Sequence, residues 1–173
     1  MSDLRSFVRD IPDFPKPGIV FKDITPLLAD RGAFRATVDR FVERYRGRAE
    51  VVLGIESRGF IIGAAVAYGL GTGLALVRKP GKLPSQTHAA RYELEYGSDS
   101  LEIHHDALGD HRRVLVVDDL LATGGTASAA VQLVERCGGE VVACAFVIEL
   151  GFLGGRRRLA GYEVFSLLDY ESP

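Results

Sequence analysis

The sequence lacks the usual markers of secretion, membrane insertion and metal binding. Its two cysteines, Cys137 and Cys144, lie in apolar segments and form neither a disulfide framework nor a metal-binding spacing. No apolar run is long enough to cross a bilayer, and charged residues precede the first apolar run, which argues against a signal peptide. The net charge of −2 provides no general attraction for nucleic acid or for an anionic membrane. We therefore expect a soluble cytoplasmic protein with no nucleic-acid or membrane partner.

The apolar segments that are present have the pattern of an α/β domain. The chain of 173 residues is long enough for one domain with a buried core, and 47% of its residues are hydrophobic. Short apolar runs predict buried strands, and the amphipathic or small-residue segments predict helices. The predicted strands are 51–55, 74–77, 114–117, 141–148 and 162–168, and the predicted helices are 4–10, 33–46, 61–68 and 126–136.

Residues 114–127 combine a buried strand, an acidic pair, a glycine turn and the start of a helix. Asp118 and Asp119 stand where the strand is expected to end, and the turn 123–126 leads into the helix. Free N–H groups of such a turn bind phosphate, while neighbouring carboxylates accept hydrogen bonds from sugar hydroxyls. No lysine follows the glycine pair, which excludes a P-loop, and Leu74 stands in place of the third glycine of a dinucleotide fingerprint. The alternative is an ordinary strand–helix turn whose acids only cap the helix.

Two further turns carry cations at the ends of predicted strands. Ser57 and Arg58 follow the strand 51–55, so they should lie beside the acidic pair at the same edge of the sheet. The loop 78–84 adds three constrained cations, Arg78, Lys79 and Lys82. Such local positive charge would suit a pyrophosphate group despite the net negative chain. The alternatives are a surface arginine near a helix start and a solvated charge run.

Residues 85–105 are polar and contain two alternating stretches, 92–96 and 100–104, around a turn at 97–99. This pattern predicts a β-hairpin that projects from the sheet. A long polar hairpin inserted into an α/β unit suggests a mobile lid.

Several of these segments resemble motifs of one enzyme family. Residues 114–127 resemble the motif that binds phosphoribosyl pyrophosphate (PRPP) in the type I phosphoribosyltransferases. Residues 14–26, Phe-Pro-Lys-Pro-Gly-Ile-Val-Phe-Lys-Asp-Ile-Thr-Pro, resemble the adenine-recognition segment of the adenine phosphoribosyltransferases. Further matches to the adenine enzymes follow in the same order at 56–60, 78–84 and 94–97, with a looser one at 149–150.

The resemblance implies a type I phosphoribosyltransferase fold, an α/β structure with a central, mostly parallel sheet flanked by helices. Residues 1–173 would form one domain, with a small hood that includes residues 1–30 and with a hairpin lid at 85–105. The implied reaction transfers the 5-phosphoribosyl group from PRPP to adenine and yields AMP and pyrophosphate, as in purine salvage. Mg²⁺ would be carried by PRPP and not by a dedicated protein site. A homodimer is implied because the family positions the arginine that corresponds to Arg78 from the partner subunit.

The family's residue roles carry over to matching positions of this chain. Arg58 and Glu95 would be catalytic, with Glu95 as the proton donor to the purine. The ribose and 5′-phosphate would be bound by Asp118, Asp119, Ala122, Thr123, Gly124, Gly125 and Thr126. The pyrophosphate would be bound by Ser57, Arg58, Arg78, Lys79 and Lys82. Adenine would be bound by Phe21 and Leu150 on its two faces and by the main chain of Val20 and Lys22. A cis peptide bond is expected at Glu56-Ser57.

Other interpretations remain open at this point. By residue type alone, Phe21 suits ordinary core packing and Glu95 suits an exposed strand position. A transferase for hypoxanthine, guanine, xanthine or orotate would share the loop at 114–127 but would lack the combination of the segments 14–26 and 92–97. A regulatory protein that senses PRPP on this fold would usually add a DNA-binding domain or a basic face.

Overall fold

Strands and helices alternate along the chain in the structure, a computed structural model that describes residues 3–93 and 98–173. The strands are β1 (Arg9–Pro12), β2 (Val20–Asp23), β3 (Val51–Ile55), β4 (Gly73–Val77), β5 (Thr87–Glu93), β6 (Ser98–His104), β7 (Arg113–Leu121), β8 (Glu140–Leu150) and β9 (Val164–Tyr170). The α-helices are α1 (Thr25–Ala29), α2 (Arg31–Tyr45), α3 (Arg58–Leu70) and α4 (Gly125–Arg136). Short 3-10 helices cover Leu4–Phe7, Gly151–Leu153 and Gly155–Leu159.

A five-stranded parallel sheet forms the centre of the fold, in the order β4-β3-β7-β8-β9. Its middle strand, β7, is apolar on both faces: Val114 and Val116 belong to one hydrophobic core, and Leu115 and Val117 belong to the other. A parallel strand with both faces covered reads as a continuous apolar run, which is the pattern that predicted it. The predicted fold class, a mostly parallel sheet flanked by helices, is therefore confirmed.

The helices and the hairpin cover the two faces of the sheet. On one face, α4 and the antiparallel hairpin β5–β6 share a core that contains Ala90, Leu101 and Ile103. On the other face, α2 and α3 contribute Phe41, Tyr45, Ile62 and Val66 to the second core. Both cysteines lie on the side of the first core, where Cys144 is fully buried and Cys137 is partly buried. Among the described residues, no helix is long and apolar enough to span a bilayer.

The amino-terminal segment differs from its predicted conformation. A 3-10 helix ends at Phe7, and the chain continues as β1 instead of extending a helix to residue 10. The main chain of β1 pairs with β2, with Arg9 opposite Asp23 and Pro12 opposite Val20. The prediction from local amphipathicity was wrong beyond Phe7 because this long-range strand pairing overrides it.

Two other predicted boundaries, the end of β7 and the turn of the hairpin, also differ in the structure because of strand pairing. Strand β7 does not end before the acids but continues to Leu121, because Asp118 pairs with Phe146 and Leu121 pairs with Glu149 on β8. In the hairpin, the first arm is β5 and Glu93 lies opposite Ser98, so Ser98 and Asp99 belong to a strand and not to a turn. The predicted lid residues 94–97, including Glu95, lie outside the described residues.

Candidate active site

The carboxyl ends of β3 and β7 enclose a cavity of about 250 Å³. The two strands are parallel neighbours, so the residues that follow β3 lie beside the last residues of β7. The cavity is lined by Glu56, Ser57, Arg58, Lys79, Tyr92, Leu101, Asp118, Asp119, Leu120 and Thr126. The two separate strand ends that the sequence predicted to be adjacent therefore form one site, and the hairpin closes one side of it.

The two aspartates are buried and point to different partners. The Asp119 carboxylate accepts a hydrogen bond from Nε of Arg58, which begins α3. The Asp118 carboxylate accepts one from the main-chain N–H of Asp119, at 2.9 Å. Burial raises the pKa of Asp118 well above its ordinary value, and the negative charge of Asp119 adds to that shift. An acidic pair at this position is thus electrostatically costly, which is typical of functional sites.

A glycine beside Asp118 allows this close packing. A Cβ atom added at Gly59 would lie 2.6 Å from Oδ1 of Asp118 and 3.0 Å from the carbonyl oxygen of Val117. Only glycine lets the first turn of α3 approach β7 so closely. The Glu56–Ser57 peptide bond that precedes this turn is cis, as expected.

The glycine turn lies between β7 and α4 against the 3-10 helix Gly155–Leu159. Gly124 has φ of +82°, and a Cβ atom there would overlap the carbonyl group of Gly155, with its carbon at 3.1 Å. No side chain of a described residue caps the N-terminus of α4. The first N–H groups of this helix are therefore available to an anion. Of the predicted phosphate-binding residues, Thr126 lines the cavity and Gly125 lines a neighbouring groove, whereas Ala122, Thr123 and Gly124 line neither.

The predicted cations divide into two groups. Arg58 and Lys79 line the cavity, but Arg78 and Lys82 do not. Arg78 instead binds Glu56 with two nitrogens, at 3.0 and 3.3 Å, and Glu56 also accepts the main-chain N–H of Lys79 at 2.8 Å. These bonds, first of all the one from the Arg78 side chain, lower the pKa of Glu56. The basic loop is thereby fixed to the turn that carries Ser57 and Arg58.

Comparison with known proteins identifies the family. The pattern of the phosphoribosyl transferase domain matches residues 28–168. The adenine phosphoribosyltransferase of Geobacter metallireducens is 58% identical over 171 residues, which cover 98% of this chain and all of that protein. The chain belongs to the adenine phosphoribosyltransferases. This membership agrees with the motifs at 14–26, 56–60, 78–84 and 114–127.

Solved structures of adenine phosphoribosyltransferases share the fold over almost the whole chain. The enzyme from Thermoanaerobacter pseudethanolicus superposes with a TM-score of 0.92 at 51% identity, covering 96% of this chain and 98% of that one. The enzyme from Saccharomyces cerevisiae, solved with adenine and an imino-altritol bisphosphate, has a TM-score of 0.89 at 40% identity and covers 95% and 96% of the two chains.

The predicted adenine-recognition segment lies next to the cavity. The guanidinium carbon of Arg58 lies 5.4 Å from the centre of the Phe21 ring, and Phe14 meets that ring edge-on at 5.3 Å. The Lys22 side chain is directed elsewhere, because its ammonium pairs with Asp10 at 3.0 Å. The Lys22 side chain is therefore not directed toward a base, and the role of its main chain in adenine binding stays a prediction.

The last predicted position, Leu150, ends β8 and is half-buried. It packs at the edge of the second core. The preceding Glu149 is bound by Arg156 at 2.6 and 2.7 Å and by Ser166 at 2.7 Å. Burial raises the pKa of Glu149, but these hydrogen bonds outweigh burial and leave its pKa lowered. A buried, fully bound carboxylate thus anchors the strand end that carries Leu150.

The sequence did not identify three polar groups in or beside the cavity, Glu56, Tyr92 and Asp99. The sequence pattern predicts only that Glu56 belongs to the turn at 56–60 and that Tyr92 belongs to the hairpin. For Asp99 a signal was present: it is in phase with the apolar residues Leu101 and Ile103. An acid on the inward face of a strand indicates a partner in the interior.

Proposed function

We propose that the chain transfers the 5-phosphoribosyl group of PRPP to adenine and releases AMP and pyrophosphate. The observation that carries the proposal is the single cavity in which Arg58, Asp118 and Asp119 meet beside the ring of Phe21. A sugar diphosphate requires a cationic side and a hydroxyl-binding side, and the purine requires an aromatic surface next to both. The family of the chain is the one whose members bear that activity in their name.

The sugar phosphate is bound by β7 and the turn that follows it. Asp118 and Asp119 accept hydrogen bonds from the ribose hydroxyls, and the N–H groups of residues 122–126 bind the 5′-phosphate. The N-terminus of α4, which no described side chain caps, supports this assignment, because its dipole and its first N–H groups favour an anion. Thr126, which lines the cavity, adds a hydroxyl donor.

The pyrophosphate is bound on the opposite side, by Ser57, Arg58 and Lys79. As the bond between the anomeric carbon and the pyrophosphate oxygen breaks, the carbon becomes cationic and negative charge grows on the leaving pyrophosphate. Fixed positive charges stabilise that leaving group, which lowers the barrier. Arg58 also contacts Asp119, so the same guanidinium links the leaving-group side to the ribose side. We assign catalytic roles to Arg58 and to Glu95, which lies outside the described residues. Adenine loses a ring proton as its bond to the anomeric carbon forms, and the Glu95 carboxylate would accept that proton and donate it back to the purine in the reverse reaction.

Adenine stacks between Phe21 and Leu150, and its edge is bound by the main chain of Val20 and Lys22. Among the described residues, strand β2 has a paired neighbour on one side only, β1, in a two-stranded sheet. Its other edge therefore keeps main-chain donors and acceptors for a base. The buried ammonium of Lys22 pairs with the exposed carboxylate of Asp10 on β1, which links the side chains of the two strands.

Mg²⁺ enters this proposal as part of the substrate complex with PRPP. Among the described residues, no group of three His, Cys, Asp or Glu side chains is arranged to hold a metal ion. Of the acids at the cavity, Asp118 and Asp119 suit ribose hydroxyls or water in the ion's shell, whereas Glu56 is bound by Arg78. When bound, the ion neutralises diphosphate charge, and the omission of Mg²⁺ should abolish turnover.

We also propose a cytoplasmic homodimer. Helix α3 and the edge strand β4 expose four large apolar side chains, Ile61, Tyr68, Leu74 and Leu76, and Tyr68 is 91% exposed. Exposed apolar residues grouped on adjacent elements are typical of an interface between subunits. Arg78 and Lys82, which do not line the cavity of their own chain, are the cations available to the partner's site. Sedimentation at micromolar concentration should give a dimer, and Tyr68→Glu should give a monomer with reduced activity.

The decisive experiment measures AMP formation from adenine and PRPP, with and without Mg²⁺. A panel of hypoxanthine, guanine, xanthine and orotate serves as the control for the base. Turnover of adenine alone, dependent on Mg²⁺, supports the proposal. Turnover of hypoxanthine without adenine would overturn the specificity, and binding of PRPP with no turnover of any base would favour a sensor.

A further inference from the structure

In the part of the hairpin that the structure describes, one carboxylate, that of Asp99, lies among apolar residues on the inner face. Leu101 and Ile103 of β6 are fully buried, and Asp99 lies two residues before Leu101 on the same face. Its cross-strand partner on β5 is Tyr92, which is 7% exposed. Residues directly opposite each other in an antiparallel pair share a face, so Tyr92 and Asp99 both point toward the sheet.

These two residues surround the ammonium of Lys79. Nζ of Lys79 donates to the Tyr92 hydroxyl at 2.8 Å and to the Asp99 carboxylate, and the Tyr92 hydroxyl donates to the same carboxylate at 3.1 Å. The Tyr92 ring centre lies 5.4 Å from Nζ. Asp99 also accepts the N–H of Ser100 at 2.7 Å. The hydrogen bond from Lys79 lowers the pKa of Asp99, so both groups are charged at neutral pH.

Lys79 is at the same time one of the two cations that line the cavity, together with Arg58. Asp99 does not line that cavity. The ammonium therefore lies between the proposed pyrophosphate site on one side and a hairpin carboxylate on the other. Because a pyrophosphate bound to Lys79 would bring several negative charges near Asp99, the two anions compete for one cation.

We infer that Asp99 is the resident counter-ion of Lys79, that pyrophosphate displaces it, and that this exchange weakens the binding of pyrophosphate and assists its release. The inference rests on the proposed function, because it assigns Lys79 to the pyrophosphate site. Tyr92 keeps the ammonium in place during the exchange, since its hydroxyl binds Lys79 without adding a charge. Asp99 is thus a positioning residue that sets affinity and does not touch the reacting atoms.

The test is calorimetric binding of pyrophosphate to the full-length protein and to Asp99→Asn. Without the competing charge, the dissociation constant should fall about two- to fivefold, the range expected when one partly exposed charge pair is removed. Asp99→Ser lacks the charge as well and should shift the constant in the same direction. Asp110→Asn is the matched control, because it removes the same charge from an exposed residue. Asp110 lies near the amino end of β7, whereas the cavity lies at the carboxyl ends of the strands. The control substitution should change the constant by less than about twofold.

A double-mutant cycle shows whether the effect passes through Lys79. In a Lys79→Met background, Asp99→Asn should no longer tighten the binding of pyrophosphate. Weaker or unchanged binding in Asp99→Asn and Asp99→Ser would overturn the inference, and so would a gain that persists without Lys79. AMP formation by the unmodified protein tests the proposed function separately. If the protein makes AMP but the cycle fails, only the inference falls.

Discussion

Two glycines with similar positive φ angles allow the glycine turn at 123–126, the proposed site of the 5′-phosphate, to be tested. Gly124 in the turn has φ of +82° and Gly138 after α4 has φ of +76°. A Cβ atom at Gly138 would meet nothing within 4 Å, whereas one at Gly124 would overlap the carbonyl group of Gly155. Alanine at either position therefore has the same left-handed strain, but only Gly124→Ala also forces two backbone segments apart.

The expected magnitudes follow from this difference. The left-handed strain costs about 1–2 kcal/mol at either site. The overlap at Gly124 should add about 1–3 kcal/mol, the usual range for overpacking. It should also move the turn by roughly half an ångström or more, and displacements near 1 Å can reduce turnover about 100-fold. Gly138→Ala should keep full activity.

The assays are urea unfolding and AMP formation for both variants. Equal losses of stability in the two proteins, with activity retained in Gly124→Ala, would refute the reasoning. That result would mean that the turn can relax without cost, and that its geometry is not what holds the 5′-phosphate.

Three further predictions address the base site, the acidic pair and the thiols. Phe21→Ala should raise KM for adenine by about 5- to 150-fold, since stacking contributes roughly 1–3 kcal/mol per base, while KM for PRPP stays within about twofold; an unchanged KM for adenine would remove Phe21 from the base site. Asp118→Asn should raise the free energy of unfolding in urea at pH 7, because a carboxyl whose pKa is raised on folding destabilises the folded state once it ionises. The same substitution should lower turnover at least about tenfold. The gain in stability should shrink as the pH falls toward 4, where the carboxyl of the unfolded chain is protonated too; a gain that is constant with pH would contradict the electrostatic cause. Burial raises the pKa of Cys144 to about 12, so a thiol reagent at pH 8 should modify it only after unfolding, whereas Cys137 is partly exposed and reacts slowly in the native protein; rapid modification of both thiols in the native state would contradict this burial.

The sequence predicted the centre of the sheet well because its inner strands, β3, β7 and β8, are largely buried on both faces. The predicted strand 51–55 matches β3, and the acidic pair and the turn at 56–60 meet at one edge as expected. Burial leaves a strong local signal, a continuous apolar run, and parallel order then places the strand ends together. The boundaries that failed depend on pairing over long distances, as in β1 with β2 and in the polar end of β7 with β8.

The pairing of charges was also beyond the sequence. Motifs located Arg58 and Lys79, but the partner of Lys79 is Asp99, 20 residues away on a hairpin whose turn was predicted at 97–99. Because that predicted turn includes Asp99, the alternation of side chains along a strand was not applied to it, and its inward position stayed hidden. Its phase with Leu101 was the local signal that could have indicated it.

Pairing explains how this site can exist before substrate binds. Arg58, Arg78 and Lys79 lie within one short region, and three like charges would repel each other strongly if left alone. Each instead has its own carboxylate, Asp119, Glu56 and Asp99 respectively. The site is thus close to neutral in the free chain, which fits an overall charge of −2. Under the proposed function, a diphosphate would bind by replacing carboxylates around Arg58 and Lys79, the two cations that line the cavity. Its affinity would then reflect the difference between two sets of ion pairs, which is smaller than the attraction of unpaired cations and would let a highly charged product leave.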